Sequence, residues 1–211
     1  NYSYVDKGYY NSWDELYGST AHDEYDENRK PGNYIILDYD ADGMITQDDN
    51  IPYGYTGIPQ NTMNLQIGFD YKGWSCFVQF YGVNNVSRSV GLTSLGGTRN
   101  TAFFEGSYWS PDNQNADVPL PRWLNQASKY TDGTRFLFDG SYTRLKYAEL
   151  SYTFSKEKWL KASGLSSLKV FVNGNNLFLW TDMPDDRESN TGGWSAYPTQ
   201  RRFNLGFKIT L

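Results

Sequence analysis

The sequence has very few of the residues that build disulfides, zinc sites and catalytic triads. It contains one cysteine, Cys76, and one histidine, His22. A single cysteine excludes a disulfide within the chain, and a single histidine excludes the usual zinc and Ser-His-Asp arrangements unless partners come from elsewhere. The composition therefore gives no support to an enzyme of these classes.

Aliphatic residues are also scarce, whereas aromatic residues are abundant. Hydrophobic residues make up 38% of the 211 positions, the mean hydropathy is −0.68, and no run approaches the ~20 apolar residues of a membrane helix. The chain holds 18 tyrosines, 12 phenylalanines and 7 tryptophans. It is thus rich in rings but poor in the aliphatic bulk of a helical core. Because it begins at Asn1 rather than methionine, we expect it to be part of a longer protein.

Charge is distributed unevenly along the chain. Residues 1–62 carry 12 acidic and 3 basic side chains, a balance of −9, whereas residues 63–211 carry 12 acidic and 16 basic ones, a balance of +4. An acidic front portion repels phosphates, so we expect no nucleic-acid partner. No apolar pocket is evident around the acidic residues of 14–27, and a solvated loop is the favoured interpretation over an acid/base site.

Alternation of apolar and polar residues predicts a chain made mainly of β-strands. It is clearest at the end, where apolar side chains from Phe203 to Leu211 occupy every second position. Lys72 and Gly73 separate two further alternating segments, which predicts a hairpin with a short turn. The predicted strands are 63–71, 74–82, 141–154, 168–180 and 203–211.

The connections between these strands are very unequal in length. If the tight turn at Lys72-Gly73 is periplasmic, every long loop is extracellular and the C-terminus is periplasmic. Short turns at one end, long loops at the other and strands near the ~9–11 residues that cross a bilayer predict an all-β fold, an antiparallel transmembrane β-barrel. Five strands cannot close a barrel, which needs at least about eight, so we expect further strands from outside this chain.

Local features refine this prediction. The stretch NGNN at 173–176 predicts a β-bulge or a change of phase. Arg144 and Lys146 share an otherwise apolar face, so we expect them near the outer rim or turned inward by a bulge. Cys76 alternates with apolar neighbours, which favours a small lipid-facing residue over a nucleophile. The piece KEKWLKASG, 156–164, is helical in character.

Seven stretches of the sequence occur in an order that is typical of one family. They are GYYNSWDELYG, KPGNYIILDYDADGMITQDD, NLQIGFDYKGW, YWSPDNQNA, DGSYTRLKYAELSYTF, LKVFVNGNNLFLWT and the terminal alternating strand. With this set the chain resembles, over nearly its whole length, the C-terminal part of the SusC/RagA-type TonB-dependent outer-membrane transporters of Bacteroidota. It departs from them at its end, because most members finish on an aromatic residue and this chain finishes on Leu211.

The resemblance implies a barrel of about 22 strands. This chain, 1–211, then supplies its C-terminal part: 1–62 as a strand end and an extracellular acidic loop, and 63–211 as the last five strands with their loops. The plug and the remaining strands lie outside it. The resemblance also implies import of oligosaccharides or peptides, with energy from the TonB complex and with a SusD-like surface lipoprotein. The expected setting is a dimer of transporter–lipoprotein pairs in the outer membrane of a Gram-negative bacterium.

The stretch DYDADGMITQDD, residues 38–49 and called the DYD loop below, has the spacing of a twelve-residue calcium loop. Such loops place oxygen ligands at positions 1, 3, 5, 7, 9 and 12 and glycine at position 6, here Gly43. The predicted ligands are Asp38, Asp40, Asp42, the Met44 carbonyl, Thr46 and Asp49. The alternative is an acidic turn whose carboxylates point into water. Where most relatives have D-x-N-G-D-G, this loop is more acidic, and a bound Ca²⁺ is expected to have a structural role.

Four tryptophans in or beside the predicted outer loops are candidates for ligand contact, since indole faces stack on sugar rings: Trp109, Trp123, Trp180 and Trp194. The alternative is an interfacial aromatic belt with loop packing. A soluble, calcium-stabilised β-sandwich that binds carbohydrate is the competing interpretation of the whole chain. No pair of strand-borne acids suggests a glycoside hydrolase, so we expect the chain not to be an enzyme.

Overall fold

The computed structural model describes residues 1–23, 29–89, 108–117, 119–120, 133–155, 157–183 and 199–211. It divides into two compact units, the first from Asn1–Tyr55 with Arg88–Phe138 and the second from Thr56–Ser87 with Asp139–Leu211. Strands predominate in the described residues, as expected for an all-β fold. None of the described helices is both long and apolar enough to cross a membrane.

The first unit is built from short strands around an aromatic core. Strands β1 (Tyr2–Tyr4) and β4 (Asn50–Pro52) pair antiparallel, and so do β2 (Asp6–Tyr9) and β3 (Tyr34–Ile36). A short helix, α1 (Trp13–Tyr17), separates β2 from β3. The buried core consists of Tyr9, Tyr34, Ile36, Ile45, Trp109, Ala116 and Phe136.

Arg135 ties the start of the chain to the later segment of this unit. Its Nε lies 2.6 Å from Asp6 Oδ2, its Nη1 donates to the Ala116 carbonyl at 3.2 Å, and its guanidinium carbon lies 4.4 Å from the centroid of the Tyr9 ring. Burial raises the pKa of the Tyr9 hydroxyl to about 12, against an opposing effect of the Arg135 charge. The tyrosine is therefore neutral, and the cation packs on its ring face rather than pairing with a phenolate.

The second unit is one antiparallel sheet of five strands in the order β11-β10-β9-β6-β5. Its strands are β5 (Asn61–Tyr71), β6 (Trp74–Asn84), β9 (Tyr142–Phe154), β10 (Ser167–Thr181) and β11 (Arg202–Thr210). All five predicted strands are confirmed, as is the hairpin at Lys72-Gly73. Two short strands, β7 (Ser87–Ser89) and β8 (Leu137–Asp139), form a separate pair.

The five-stranded sheet has one apolar face and one mainly polar face, because residues opposite each other in register share a face. One row across the apolar face is Phe69, Cys76, Leu150, Val172 and Leu205. The neighbouring row on the polar face is Gly68, Phe77, Glu149, Asn173 and Asn204. The apolar side chains are uncovered: Ile67 is 51% exposed and Leu205 81% exposed. A second sheet, as in a soluble sandwich, does not cover this face in the described part of the chain.

Two bulges set which side chains reach each face. The predicted bulge in β10 is confirmed, since the register shifts between Asn175 and Phe178, and Asn176 has φ +54°. A second shift lies in β9 opposite Gln79 and Phe80. Beyond it Arg144 falls in register with Tyr81 on the polar face and is only 1% exposed. The bulge in β9 therefore places Arg144 on the polar face of the sheet, in agreement with the expectation that a bulge turns it away from the apolar face.

The connections follow the predicted asymmetry. The Lys72-Gly73 turn and the connection 155–166, which contains the helix α2 (Lys158–Ala162), join strands at one end of the sheet, called the short-turn end below. The longer connections from β6 to β9 and from β10 to β11 leave from the other end. Both edge strands, β5 and β11, have a neighbour on one side only within the described chain.

Candidate functional site

The DYD loop is a tight acidic turn held by local hydrogen bonds. Asp38 Oδ2 accepts from the Gly43 N–H at 2.9 Å, and Asp42 Oδ1 accepts from the Met44 N–H at 2.7 Å. Gly43 has φ +85°, a left-handed conformation that glycine adopts at little cost. The turn brings one carboxylate oxygen each of Asp38, Asp40 and Asp42 within 4.8 Å of one another.

The electrostatics of these carboxylates favour a cation. The hydrogen bond from the Asp42 N–H acts to lower the pKa of Asp40, but desolvation and repulsion from three neighbouring aspartates outweigh it, so this pKa is raised. Asp38 Oδ1 is buried and has no hydrogen-bond partner among the described residues. A buried acceptor without a donor is costly, and hard divalent cations prefer carboxylate oxygens. The residues present therefore fit Ca²⁺.

Asp49, the predicted ligand at position 12, closes the loop through the backbone. It is 1% exposed, and its two oxygens accept from the Tyr39 N–H at 2.6 Å and the Thr46 N–H at 2.8 Å. Thr46 Oγ1 in turn accepts from the Asp48 N–H at 3.2 Å. The carboxylate of Asp49 is not among the three that converge within 4.8 Å. The structure thus brings together the first three predicted ligands and gives Asp49 and Thr46 capping contacts.

A backbone contact with His22 fixes the loop to the first unit. The His22 N–H donates to the Gly43 carbonyl at 2.9 Å, and the Ile45 N–H donates to the His22 carbonyl at 2.7 Å. Ile45 is buried in the core of the unit. The contact is an isolated parallel β-bridge between His22 and Met44. Ile45 occupies position 8 of the twelve-residue spacing, where an apolar residue normally anchors the loop, but nothing in the sequence indicated His22.

The candidate tryptophans have different environments. Trp109 is 4% exposed in the core of the first unit, and its Nε1–H donates to Asn11 Oδ1 at 3.0 Å, so its ring faces are not presented to a ligand. Trp180 is 52% exposed and stacks on Phe178, at 6.2 Å between ring centroids, on the apolar face of the sheet. That position is the one expected of an aromatic belt. Trp123 and Trp194 lie outside the described residues.

A polar cluster that sequence analysis missed lies on the opposite face of the sheet. Glu149 accepts from Lys169 Nζ at 2.8 Å, from the Tyr147 hydroxyl at 2.5 Å and from Asn173 Nδ2 at 3.4 Å. Asn204 Nδ2 donates to Asn173 Oδ1 at 2.9 Å, which extends the cluster onto β11. Alternation predicted a polar face, but which side chains meet depends on the register. Such a face suits an aqueous or protein-filled interior rather than lipid.

Comparison with known proteins gives consistent relatives. No protein-family model matches the chain. A protein named TonB-dependent receptor P3 from Formosa agariphila is 30% identical over 195 residues, which cover 85% of this chain and 19% of that protein. The chain thus spans about a fifth of the relative's length.

Solved structures show the same fold. The RagAB peptide importer in its open-open state matches with a TM-score of 0.68 and 17% identity, covering 100% of this chain and 22% of that one. A second structure, of the RagAB peptide transporter, matches with a TM-score of 0.67 and 17% identity over 99% of this chain and 22% of that one. These relatives are receptors and transporters, not enzymes, in agreement with the expectation for this chain. In its ordered motifs, its two-faced open sheet and its 30% identity to that relative, the chain is similar to a segment of a TonB-dependent receptor.

Proposed function

We propose that the chain forms consecutive strands of an outer-membrane β-barrel that imports a nutrient with energy from TonB. The observation that carries this proposal is the five-stranded sheet, whose apolar face is exposed along all five strands while its other face is polar. In water an uncovered apolar face of this size is unfavourable, whereas in a bilayer it is the normal exterior of a barrel. Strands from outside this chain pair with β5 and β11, because unpaired backbone groups in lipid are costly.

The finer features of the function follow the resemblance. The complete barrel has about 22 strands and encloses a plug. The long connections are extracellular, and the short turns and the C-terminus are periplasmic. A SusD-like surface lipoprotein is the partner, in a dimer of such pairs, and the substrate is an oligosaccharide or a peptide. RagAB is a peptide importer. This chain is similar to it in fold alone, and that similarity is the support for a peptide substrate.

Membrane fractionation and uptake test this function. The complete receptor that carries this segment is expected in the outer-membrane fraction and to resist extraction with carbonate or urea. Deleting its gene should abolish uptake of one class of compound within a panel of labelled oligosaccharides and peptides. A protonophore should abolish the same uptake in the wild type, because import depends on energy from TonB. Release of the receptor into the wash would instead support the soluble carbohydrate-binding module.

The DYD loop is proposed to bind a structural Ca²⁺ ion. Three converging carboxylates and the buried, unpartnered Asp38 Oδ1 among the described residues support this. Asp38, Asp40 and Asp42 supply the carboxylates, and the Met44 carbonyl, Thr46 and Asp49 complete the set that the spacing predicts. The ion would hold the acidic connection in one shape, as ligands that bind only the folded state do.

Calorimetry and thermal unfolding of the receptor with Ca²⁺ check this proposal. The ion is expected to stabilise the first unit by about 3 kcal/mol at a hundredfold excess over Kd, and Asp38→Asn with Asp42→Asn should abolish that gain. Asp48→Asn is the matched control, because Asp48 is an exposed acid of the same loop outside the converging group. Equal heats from the wild type and the double variant would exclude this site.

A further inference from the structure

We propose that a groove in the apolar face holds one acyl chain of an anionic glycerophospholipid, from the leaflet at the short-turn end. The inference rests on the proposed function, because it requires the apolar face to lie in a membrane. It adds a lipid-binding site to a surface that would otherwise be a uniform exterior. The site is defined by shape, by an aromatic end and by nearby charge.

The groove arises because short side chains lie between longer ones. Val170 and Val172 of β10 form its floor. In register on one side are Tyr152 and Leu150 of β9, and Leu205 of β11 lies opposite Val172 on the other side. Together with neighbouring residues they line an open groove of about 580 Å³. The only lining residue without an apolar or aromatic side chain, Ser151, is 2% exposed and offers little polar surface.

The length of the groove matches one leaflet. Its wall on β9 runs from Leu150 to Phe154, five residues whose four steps span about 13 Å at about 3.3 Å per step. The apolar band of an outer-membrane barrel is about 25 Å tall, so this wall covers about half of it. Phe154 is the last residue of β9, so the groove begins at the short-turn end. A chain that enters from this end therefore belongs to a lipid of that leaflet alone.

An aromatic ladder marks the end of the groove where a headgroup would lie. The rings of Trp74 and Tyr152 are 5.0 Å apart, those of Tyr152 and Phe154 4.7 Å, and those of Phe154 and Trp159 5.9 Å. Trp74 and Trp159 are 49% and 47% exposed. Tyrosine and tryptophan collect at the headgroup level of membranes, because their rings are apolar and their N–H and O–H groups remain hydrated. With the lipid headgroup at this ladder, its acyl chain would extend from the ladder into the groove.

Positive charge lies just beyond the ladder. Lys72 is in the turn before Trp74, and its Nζ lies 5.0 Å from the centroid of the Tyr71 ring. Lys158 is exposed at the start of α2, next to Trp159, although Glu157 beside it offsets part of its charge. Lysines near a membrane surface attract anionic headgroups. This charge selects an anionic lipid over a zwitterionic one, while the groove itself recognises only the acyl chain.

Native mass spectrometry of the complete receptor tests the site, with phosphatidylglycerol and phosphatidylethanolamine as probes. Val172→Trp fills the groove and is expected to lower retained phosphatidylglycerol at least about tenfold, since several methylene contacts are lost. Leu65→Trp places the same ring on the apolar face at β5, away from the groove, and should retain lipid as the wild type does. Lys72→Gln with Lys158→Gln should remove the preference for phosphatidylglycerol and leave phosphatidylethanolamine binding unchanged.

The outcomes separate this proposal from the function on which it rests. Equal lipid retention by the wild type and Val172→Trp would overturn the groove and leave the barrel intact, and so would equal losses from Val172→Trp and Leu65→Trp. A receptor that is water-soluble and carries no lipid would overturn the barrel itself. A lysine variant that keeps its preference for phosphatidylglycerol would overturn the anionic assignment.

Discussion

Gly32→Ala is expected to destabilise the first unit by about 2–5 kcal/mol, the sum of backbone strain and overpacking. Gly32 has φ +90°, where an L side chain is strained. A Cβ there would also lie 2.5 Å from Trp109 Cε3 and 2.6 Å from Leu120 Cβ, closer than packed carbons approach. Trp109 cannot retreat without disturbing the core that surrounds it.

Gly8→Ala is the matched control for this prediction. Gly8 has φ +108°, but a Cβ there would meet nothing within 4 Å, so only the backbone strain of about 1–2 kcal/mol remains. Hydrogen exchange of the purified receptor over the strands β2 and β3 reports the opening free energy of the unit. If the two variants exchange at the same rate, the overlap of the added Cβ with Trp109 contributes nothing to the loss of stability.

Ile67→Arg is expected to prevent assembly of the barrel or to lower its stability by about 2–4 kcal/mol, the cost of an arginine at the bilayer midplane. Ile67 lies in the middle of β5 on the apolar face and is 51% exposed. Val78 lies opposite Ile67 in register and Ala148 follows Val78 in the same row, and neither side chain can neutralise a charge. Because Ile67 is near the midpoint of the strand, an arginine side chain there is too far from either headgroup layer to reach it without distorting the sheet.

Gln66→Arg is the control, since Gln66 is next in sequence but projects from the polar face beside Gln79. The amount of folded receptor in the outer membrane and its resistance to urea measure both variants. We expect Gln66→Arg to match the wild type. If Ile67→Arg is tolerated as well as Gln66→Arg, the apolar face does not contact lipid.

The strands were predictable because the pattern that identifies each strand lies within its own segment of the sequence. The alternation in 63–71, 74–82 and 203–211 repeats over enough residues to identify strand and face together. Arg144 was not predictable in the same way. A bulge in β9 lies between Arg144 and the regularly alternating part of the strand from Tyr147 onward, and it reverses the face on which Arg144 lies. A bulge is set by the register with the neighbouring strand, and one sequence segment alone does not contain that register.

The DYD loop shows the same division. Its spacing predicted that Asp38, Asp40 and Asp42 converge, because turns of this length follow from glycine and short-range hydrogen bonds. It did not predict that both oxygens of Asp49 accept backbone N–H groups, or that His22 pairs with the loop. Trp109 likewise was a ligand candidate because of its place in or beside a predicted outer loop, and its burial is a property of the core around Gly32.

The sequence by itself determined the periodic and local features: an all-β chain, five strands of membrane-spanning length, a tight turn at Lys72-Gly73, an acidic loop with calcium spacing and the motifs of TonB-dependent receptors. Only the tertiary structure decided which side chains meet across strands, among them the cluster around Glu149 and the groove over Val170 and Val172. The physical reason is that alternation fixes the direction of each side chain relative to its own strand. Strand pairing and bulges fix the register, and the register decides which residues of neighbouring strands lie opposite each other.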